Sequence, residues 1–79
     1  MRLKDAIAKR VKELCKTNGL TVHGLSLKTG VANYTLIDIT KGRNASVQIK
    51  FIFAICDGLN ISLEDFFATP YFNKDQLTD

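Results

Sequence analysis

One short segment of the chain carries four side chains suited to recognising the edges of base pairs: Asn33, Tyr34, Ile37 and Asp38. The Asn33 amide can form two hydrogen bonds with adenine, and the Tyr34 hydroxyl can bond a base or a phosphate. The apolar tip of Ile37 can contact a thymine methyl, whereas a carboxylate can accept a hydrogen bond from cytosine. The chemistry offered here is recognition rather than catalysis.

Each of these side chains also has a purely structural interpretation. Asn33 can cap a helix, and Tyr34 can pack partly against the preceding helix. Asp38 lies three residues before Lys41, a spacing at which helical side chains are neighbours. We favour this internal ion pair over a cytosine contact for Asp38, although an exposed pair contributes only roughly 0–1 kcal/mol.

The elements that position this segment follow from the spacing of apolar residues and from helix-end signals. An amphipathic stripe predicts a first helix over about residues 2–18, ended by Asn18-Gly19. Thr21 is the expected N-cap of a second helix, and Thr29-Gly30 forms the turn that follows it. The third helix is predicted over about residues 32–41. Its inward positions are Leu36 and Ile39, so the four recognition side chains point outward.

Two further helices are predicted in the second half of the chain. A largely apolar helix begins near residues 46–48 and runs to Asp57, with Gly58 as its stop. Ser62 and Asp65 have the spacing of a capping box and open a short fifth helix that runs through Phe67. Pro70 ends that helix, and residues 70–79 are expected to form a polar, frayed tail beyond a domain spanning 1–69.

Bulk composition narrows the class of protein. The 79 residues are 46% hydrophobic and 24% charged, which is typical of one small globular domain. The net charge of +3 is unevenly divided: residues 1–50 carry ten Lys/Arg against three Asp/Glu, and residues 51–79 carry one against five. A polyanion would therefore be steered towards the first half, although a lopsided solvated surface is an equally good explanation of the charge alone.

Other classes receive little support from the sequence. We expect no metal, because His23 is the one histidine and no metal-ligand spacing is present. We also expect no other cofactor and no small-molecule ligand. The sequence lacks the paired carboxylates and the Gly-rich phosphate loop that would suggest an enzyme. Cys15 and Cys56 are expected to be buried thiols rather than a disulfide. The lack of a signal-peptide pattern and of a long apolar run favours a cytoplasmic protein without a membrane partner.

The helical order, together with Leu25, Ser26, Gly30 and Val31, resembles the Cro/CI-type (lambda-repressor-like, or XRE) helix-turn-helix family. Lys41-Gly42-Arg43 and residues 55–67 are similar to the same family, so the resemblance covers about residues 3–67. It implies an all-α fold of five helices, with the helix-turn-helix at helices 2 and 3. It also implies a double-stranded DNA partner and transcriptional regulation, most simply by a repressor.

Two further sets of residues have expected roles in DNA binding and in dimer formation. The side chains expected to contact phosphates are Lys28, Thr35, Lys41, Arg43 and Asn44, with Lys50 further out. A homodimer reading a palindromic operator is expected to form through the aromatic residues of the acidic half: Phe51, Phe53, Phe67, Tyr71 and Phe72. For several of these aromatics, completion of the core is the alternative.

The chain departs from the family pattern at Val22, Gly24 and Ala32, positions where polar or capping residues are usual. These departures weaken the expected phosphate contact of the second helix. They leave open a second function, a protein-interaction module or an antitoxin-like partner that keeps the fold with little or no DNA binding.

Overall fold

A computed structural model describes residues 1–79 and contains five α-helices followed by one 3₁₀ helix. The helices are α1 (Leu3–Thr17), α2 (Val22–Thr29), α3 (Asn33–Thr40), α4 (Ile49–Leu59) and α5 (Leu63–Phe66), with the 3₁₀ helix at Pro70–Phe72. The predicted all-α, five-helix architecture is confirmed. None of the helices combines the length and hydrophobicity required to cross a bilayer.

The core is built from side chains of all five helices, with α1 packed on the α3 side of the α2–α3 pair and α4 packed on its α2 side. Helix α1 packs against α3, while α2 packs against both α3 and α4. The side chains of Val11, Leu25 and Leu36 are fully buried there, as is Phe66 from α5. Because burying each such side chain contributes about 1.5–3 kcal/mol, these contacts hold the α2–α3 pair on the rest of the molecule.

The two cysteines belong to this core. Cys15 and Cys56 are buried free thiols, as the sequence predicts. Burial raises the pKa of both thiols above the ordinary value, because the interior disfavours the thiolate. Both side chains therefore act as small hydrophobic groups.

Several helix ends follow the predicted capping chemistry. The Thr21 hydroxyl accepts a hydrogen bond from the Gly24 amide at 3.0 Å and caps α2. Ser62 and Asp65 form the expected reciprocal capping box at the start of α5. Helix α5 ends at Phe66, one residue before the predicted end.

The predicted stop at Gly58 is wrong. Helix α4 continues through Gly58 to Leu59, and the left-handed residue that ends it is Asn60, with φ of 57°. A Cβ at position 58 would lie 2.6 Å from Thr29 Cγ2 and 3.2 Å from the Lys28 carbonyl oxygen. Glycine is therefore needed for the close approach of α4 to the end of α2, not for a turn.

The predicted frayed tail is also wrong, because residues 70–79 pack back onto the start of the chain. The Met1 ammonium donates to the Gln76 carbonyl at 2.9 Å, and the Thr78 amide donates to the Met1 carbonyl at 3.0 Å. The Asp79 carboxylate accepts a hydrogen bond from the Leu3 amide at 2.6 Å. Asp79 thus satisfies a free N–H group at the start of α1, which has no cap of its own.

Arg10 joins α1 to α5, a role that its charge does not indicate from the sequence. Its Nε donates to the Phe66 carbonyl and its Nη2 to the Asp65 carbonyl, both at 2.7 Å. Only 17% of the Arg10 side chain is exposed, and Glu13 lies 3.8 Å from its guanidinium. Glu13 also accepts a hydrogen bond from the Tyr71 hydroxyl. Burial first, and then this bond, raise the pKa of Tyr71, so the neutral phenol anchors the tail to α1.

We predict that Gly58→Ala destabilises the fold by about 1–3 kcal/mol, the usual cost of overpacking. The same change at an unobstructed helical site would stabilise it by about 0.5–1 kcal/mol. Urea unfolding measures the difference. In a Thr29→Ser background, which keeps the hydroxyl and removes Cγ2, part of the cost should disappear. A stabilising Gly58→Ala would show that α4 does not approach α2 this closely.

We predict that Arg10→Ala lowers the free energy of unfolding by about 2 kcal/mol, because the carbonyl groups of Asp65 and Phe66, the second of them in a partly buried bond, lose a charged donor. Lys12→Ala on the exposed side of α1 is the matched control and should change stability by less than about 0.5 kcal/mol. Equal effects in thermal or urea unfolding would contradict the bridging role of Arg10.

Candidate nucleic-acid interface

The turn between α2 and α3 is fixed by a glycine and two hydroxyl groups. Gly30 ends α2 with φ of 79°, a left-handed conformation that glycine adopts without strain. The Ser26 hydroxyl donates to the Val31 carbonyl at 2.6 Å across the turn. The Thr29 hydroxyl donates to the Leu25 carbonyl at 2.8 Å and accepts from the Val31 amide at 3.3 Å. These bonds determine the angle at which α3 leaves α2.

Helix α3 has one buried side and one outward side, as its sequence predicts. Leu36 and Ile39 are at most 1% exposed and form part of the core. On the other side, Tyr34 is 74% exposed. The other three predicted base-contacting residues, Asn33, Ile37 and Asp38, are half-buried. The structure therefore brings the four side chains onto one short surface, with Tyr34 as its most prominent member.

Asn33 is the first residue of α3 and does not cap it. The N-cap position is Ala32, whose side chain offers no acceptor, so the capping alternative for Asn33 is wrong. The Asn33 Oδ1 atom is buried without a hydrogen-bond partner. An unsatisfied buried acceptor costs about 1–3 kcal/mol, and rotation of the amide towards an external donor would remove that cost.

The expected ion pair between Asp38 and Lys41 is wrong, because Asp38 pairs with Arg43. Arg43 Nη1 lies 3.5 Å from Asp38 Oδ1, and the Arg43 amide donates to the Asp38 carbonyl at 2.9 Å. Gly42 takes φ of 66° just beyond α3 and turns the chain back, so that Arg43 returns to Asp38. The three-residue spacing rule fails here because α3 ends before Lys41.

The predicted phosphate-contacting residues surround α3 unequally. Lys28 and Lys41 are exposed and have no carboxylate within 4.0 Å. Arg43 is exposed but shared with Asp38. Asn44 uses its side-chain oxygen to accept from the Ser46 amide at 3.0 Å, and Thr35 is half-buried on α3. The two lysines are therefore the members of this set with uncommitted charge.

The predicted dimer residues fall into different environments. Phe67 and Phe72 are half-buried and stack edge-on at 4.9 Å, against the buried Phe66. Tyr71 is half-buried, and its hydroxyl donates a hydrogen bond to Glu13. Phe51 is half-buried on α4.

The fifth predicted dimer residue, Phe53, is exposed. Its exposed fraction is 58%, and that of Ile49, one turn earlier on the same helix face, is 60%. Ile49 is not among the residues predicted for the dimer.

Comparisons with known proteins agree with the geometry. The family model of the Cro/C1-type HTH DNA-binding domain matches residues 10–70. A structure of an HTH_3 family transcriptional regulator from Vibrio cholerae is similar at 35% identity and a TM-score of 0.76. The match covers 82% of this chain and 36% of that one, so the chain spans about a third of that regulator's length.

A second structure, the prophage Lp1 protein 11, is similar at 27% identity with a TM-score of 0.81. The match covers 94% of this chain and 99% of that one. No curated protein matched the chain. With three-quarters of its residues inside the family match and an exposed α3 set by a glycine turn, this chain belongs to the Cro/C1-type helix-turn-helix family, a DNA-binding family rather than an enzymatic one.

Proposed function

We propose that this protein is a sequence-specific transcriptional regulator that represses by occupying a palindromic operator as a homodimer. The observation that carries the proposal is the outward side of α3, where Tyr34 is 74% exposed beside Asn33 and Ile37. A helix presented in this way fits the major groove of a duplex. Similarity to a transcriptional regulator and to a prophage protein supports a role in gene control. We place this role in the cytoplasm.

Base recognition is assigned to the first two turns of α3. The Asn33 amide rotates out of its unsatisfied position and forms paired hydrogen bonds with an adenine. The Tyr34 hydroxyl contacts the neighbouring base or its phosphate, and Ile37 packs against a thymine methyl. Because only adenine offers both partners to the amide, these paired hydrogen bonds favour the correct base.

Asp38 does not oppose this arrangement, since its charge is balanced by Arg43 at 3.5 Å. The pair is about half exposed, so its contribution to stability is at most about 1 kcal/mol. A phosphate can therefore compete for the Arg43 guanidinium. Lys28 and Lys41 supply further phosphate contacts, with the polar groups of Thr35 and Asn44. Such contacts position the protein but do not select the sequence.

Dimer formation is assigned to the exposed face of α4. Ile49 and Phe53 are 60% and 58% exposed and lie one helical turn apart, and large apolar side chains in this state favour a second apolar surface. A twofold axis through this face would relate the two copies of α3, which must lie about 34 Å apart, one turn of DNA, to read one operator. Of the other aromatics predicted for the interface, Phe67, Tyr71 and Phe72 are assigned to its periphery, whereas Phe51 lies on another side of α4.

We predict that replacing Asn33 and Tyr34 together by Ala abolishes discrimination between a selected operator and random duplex, because base contacts are lost while phosphate contacts remain. Thermal stability should be retained or slightly raised, since the substitution removes the buried Asn33 oxygen that has no hydrogen-bond partner, and the Tyr34 side chain is 74% exposed. Duplexes selected from a random pool provide the operator, and competition binding provides the measurement. Retained discrimination would mean that another surface reads the bases.

The salt dependence of the same binding separates this function from a protein-interaction module. For a DNA-binding protein, the logarithm of the binding constant falls linearly with the logarithm of the salt concentration. The slope is about 0.9 for each phosphate contact. Lys41→Ala should lower that slope by about one unit and weaken all sequences alike. If the wild-type protein is not retained on any duplex at about 100 mM salt, the proposed function is excluded.

We predict that Phe53→Ser shifts the protein from dimer to monomer in sedimentation at micromolar concentration and removes cooperative binding to the two half-sites. Leu27→Ser is a matched control, because Leu27 on α2 is 75% exposed and lies outside the proposed interface. A monomeric wild-type protein, or an unchanged dimer in the Phe53 variant, would disprove this interface.

A further inference from the structure

An open groove of about 380 Å³ runs between the α2–α3 turn and the first two turns of α4. Gly30 and Ala32 lie on one side of it, and Lys50 and Ala54 on the other. The aromatic rings of Tyr34 and Phe51 are among its walls. Phe51 lies two positions before Phe53, so these two side chains point to nearly opposite sides of α4. Phe51 thus belongs to the groove.

The chemistry of the groove combines apolar walls with positive charge. The Lys50 ammonium lies 5.2 Å from the centre of the Phe51 ring and has no carboxylate within 4.0 Å. No acidic residue lines the groove. At its α3 end, the amides of Asn33 and Tyr34 have no acceptor within the protein, because Ala32 supplies no cap. A helix start of this kind favours an anion, so it adds to the field of Lys50.

The groove is continuous with the surface assigned to base recognition. Tyr34 and Thr35 line it and also lie on α3. A DNA strand whose bases meet the start of α3 must carry its sugar–phosphate chain past this end of the helix. The groove lies at this end of α3, and its positive charge is complementary to a phosphate.

We propose that this groove holds one deoxyribose and its adjoining phosphate from the strand read by α3, with Lys50 binding the phosphate and Tyr34 and Phe51 packing on the sugar. The proposal rests on the proposed function and adds a backbone site on α4. It changes Lys50 from a peripheral cation to a contact within the interface, and Phe51 from a dimer residue to a wall of the DNA site.

The test compares Lys50→Ala with Lys74→Ala, an exposed lysine in the acidic half. The probe is a duplex selected by the wild-type protein. Lys50→Ala should reduce the salt slope by about 0.9 and the affinity at 0.1 M salt by about eightfold, the effect of one phosphate contact. Lys74→Ala should leave both unchanged, and Lys50→Arg should restore most of the affinity.

Ethylation of single phosphates locates the contact. In each half-site, ethylation of one phosphate should weaken binding of the wild-type protein but add nothing to the loss already caused by Lys50→Ala. Ala54→Leu, which fills the groove, should weaken all duplexes alike. Its urea unfolding, compared with that of the wild-type protein, shows that the loss is not one of stability.

Wild-type binding with normal salt dependence, together with an unchanged slope and ethylation pattern in Lys50→Ala, would overturn the groove proposal alone. That result would leave the groove to a different occupant, such as a small aromatic anion. A wild-type protein that binds no duplex would instead remove the proposed function, and this inference with it.

Discussion

The close contact between Gly58 of α4 and Thr29 at the end of α2 is the constraint on which the position of α3 depends. A Cβ at position 58 would lie 2.6 Å from Thr29 Cγ2, so the two helices approach more closely than any side chain allows. The hydroxyl of the same threonine bonds the Leu25 carbonyl and the Val31 amide. Thr29 therefore joins the turn to α4, and the direction of α3 follows from both contacts.

Local patterns in the sequence predict the elements of this fold but not their contacts. The apolar spacing of α1, the Thr21 cap and the Ser62–Asp65 capping box are local chemistry, and the structure confirms them. Gly58 was interpreted by the same local logic and incorrectly. A glycine that allows a close approach and one that ends a helix look identical in sequence, and only the packing of α2 on α4 distinguishes them.

The polar contacts of the candidate site and of the tail were harder to predict, since their partners are distant or lie beyond a helix end. Arg10 donates to carbonyl groups 55 and 56 residues away, and local spacing rules cannot predict contacts between residues so far apart in sequence. The Asp38–Arg43 pair depends on the reversal of the chain at Gly42. The inward and outward sides of α3 were predictable, because burial of Leu36 and Ile39 fixes the rotation of the helix.

The two kinds of cation in this protein are used differently. Each of the three ion pairs contains an arginine, Arg2 with Asp79, Arg10 with Glu13 and Arg43 with Asp38, whereas no lysine has a carboxylate within 4.0 Å. Arginine suits fixed contacts because its planar group directs several donors, while the lysine ammonium is a mobile point charge. The arginine pairs neutralise acidic groups near both ends of the chain and beside α3. The charge that is not paired with a carboxylate is therefore carried by lysine, and Lys28, Lys41 and Lys50 place it on α2, after α3 and on α4. Because lysine–phosphate contacts are screened by salt, affinity for DNA would depend strongly on ionic strength. The stability of the fold would depend on it little, since exposed ion pairs contribute only about 0–1 kcal/mol each.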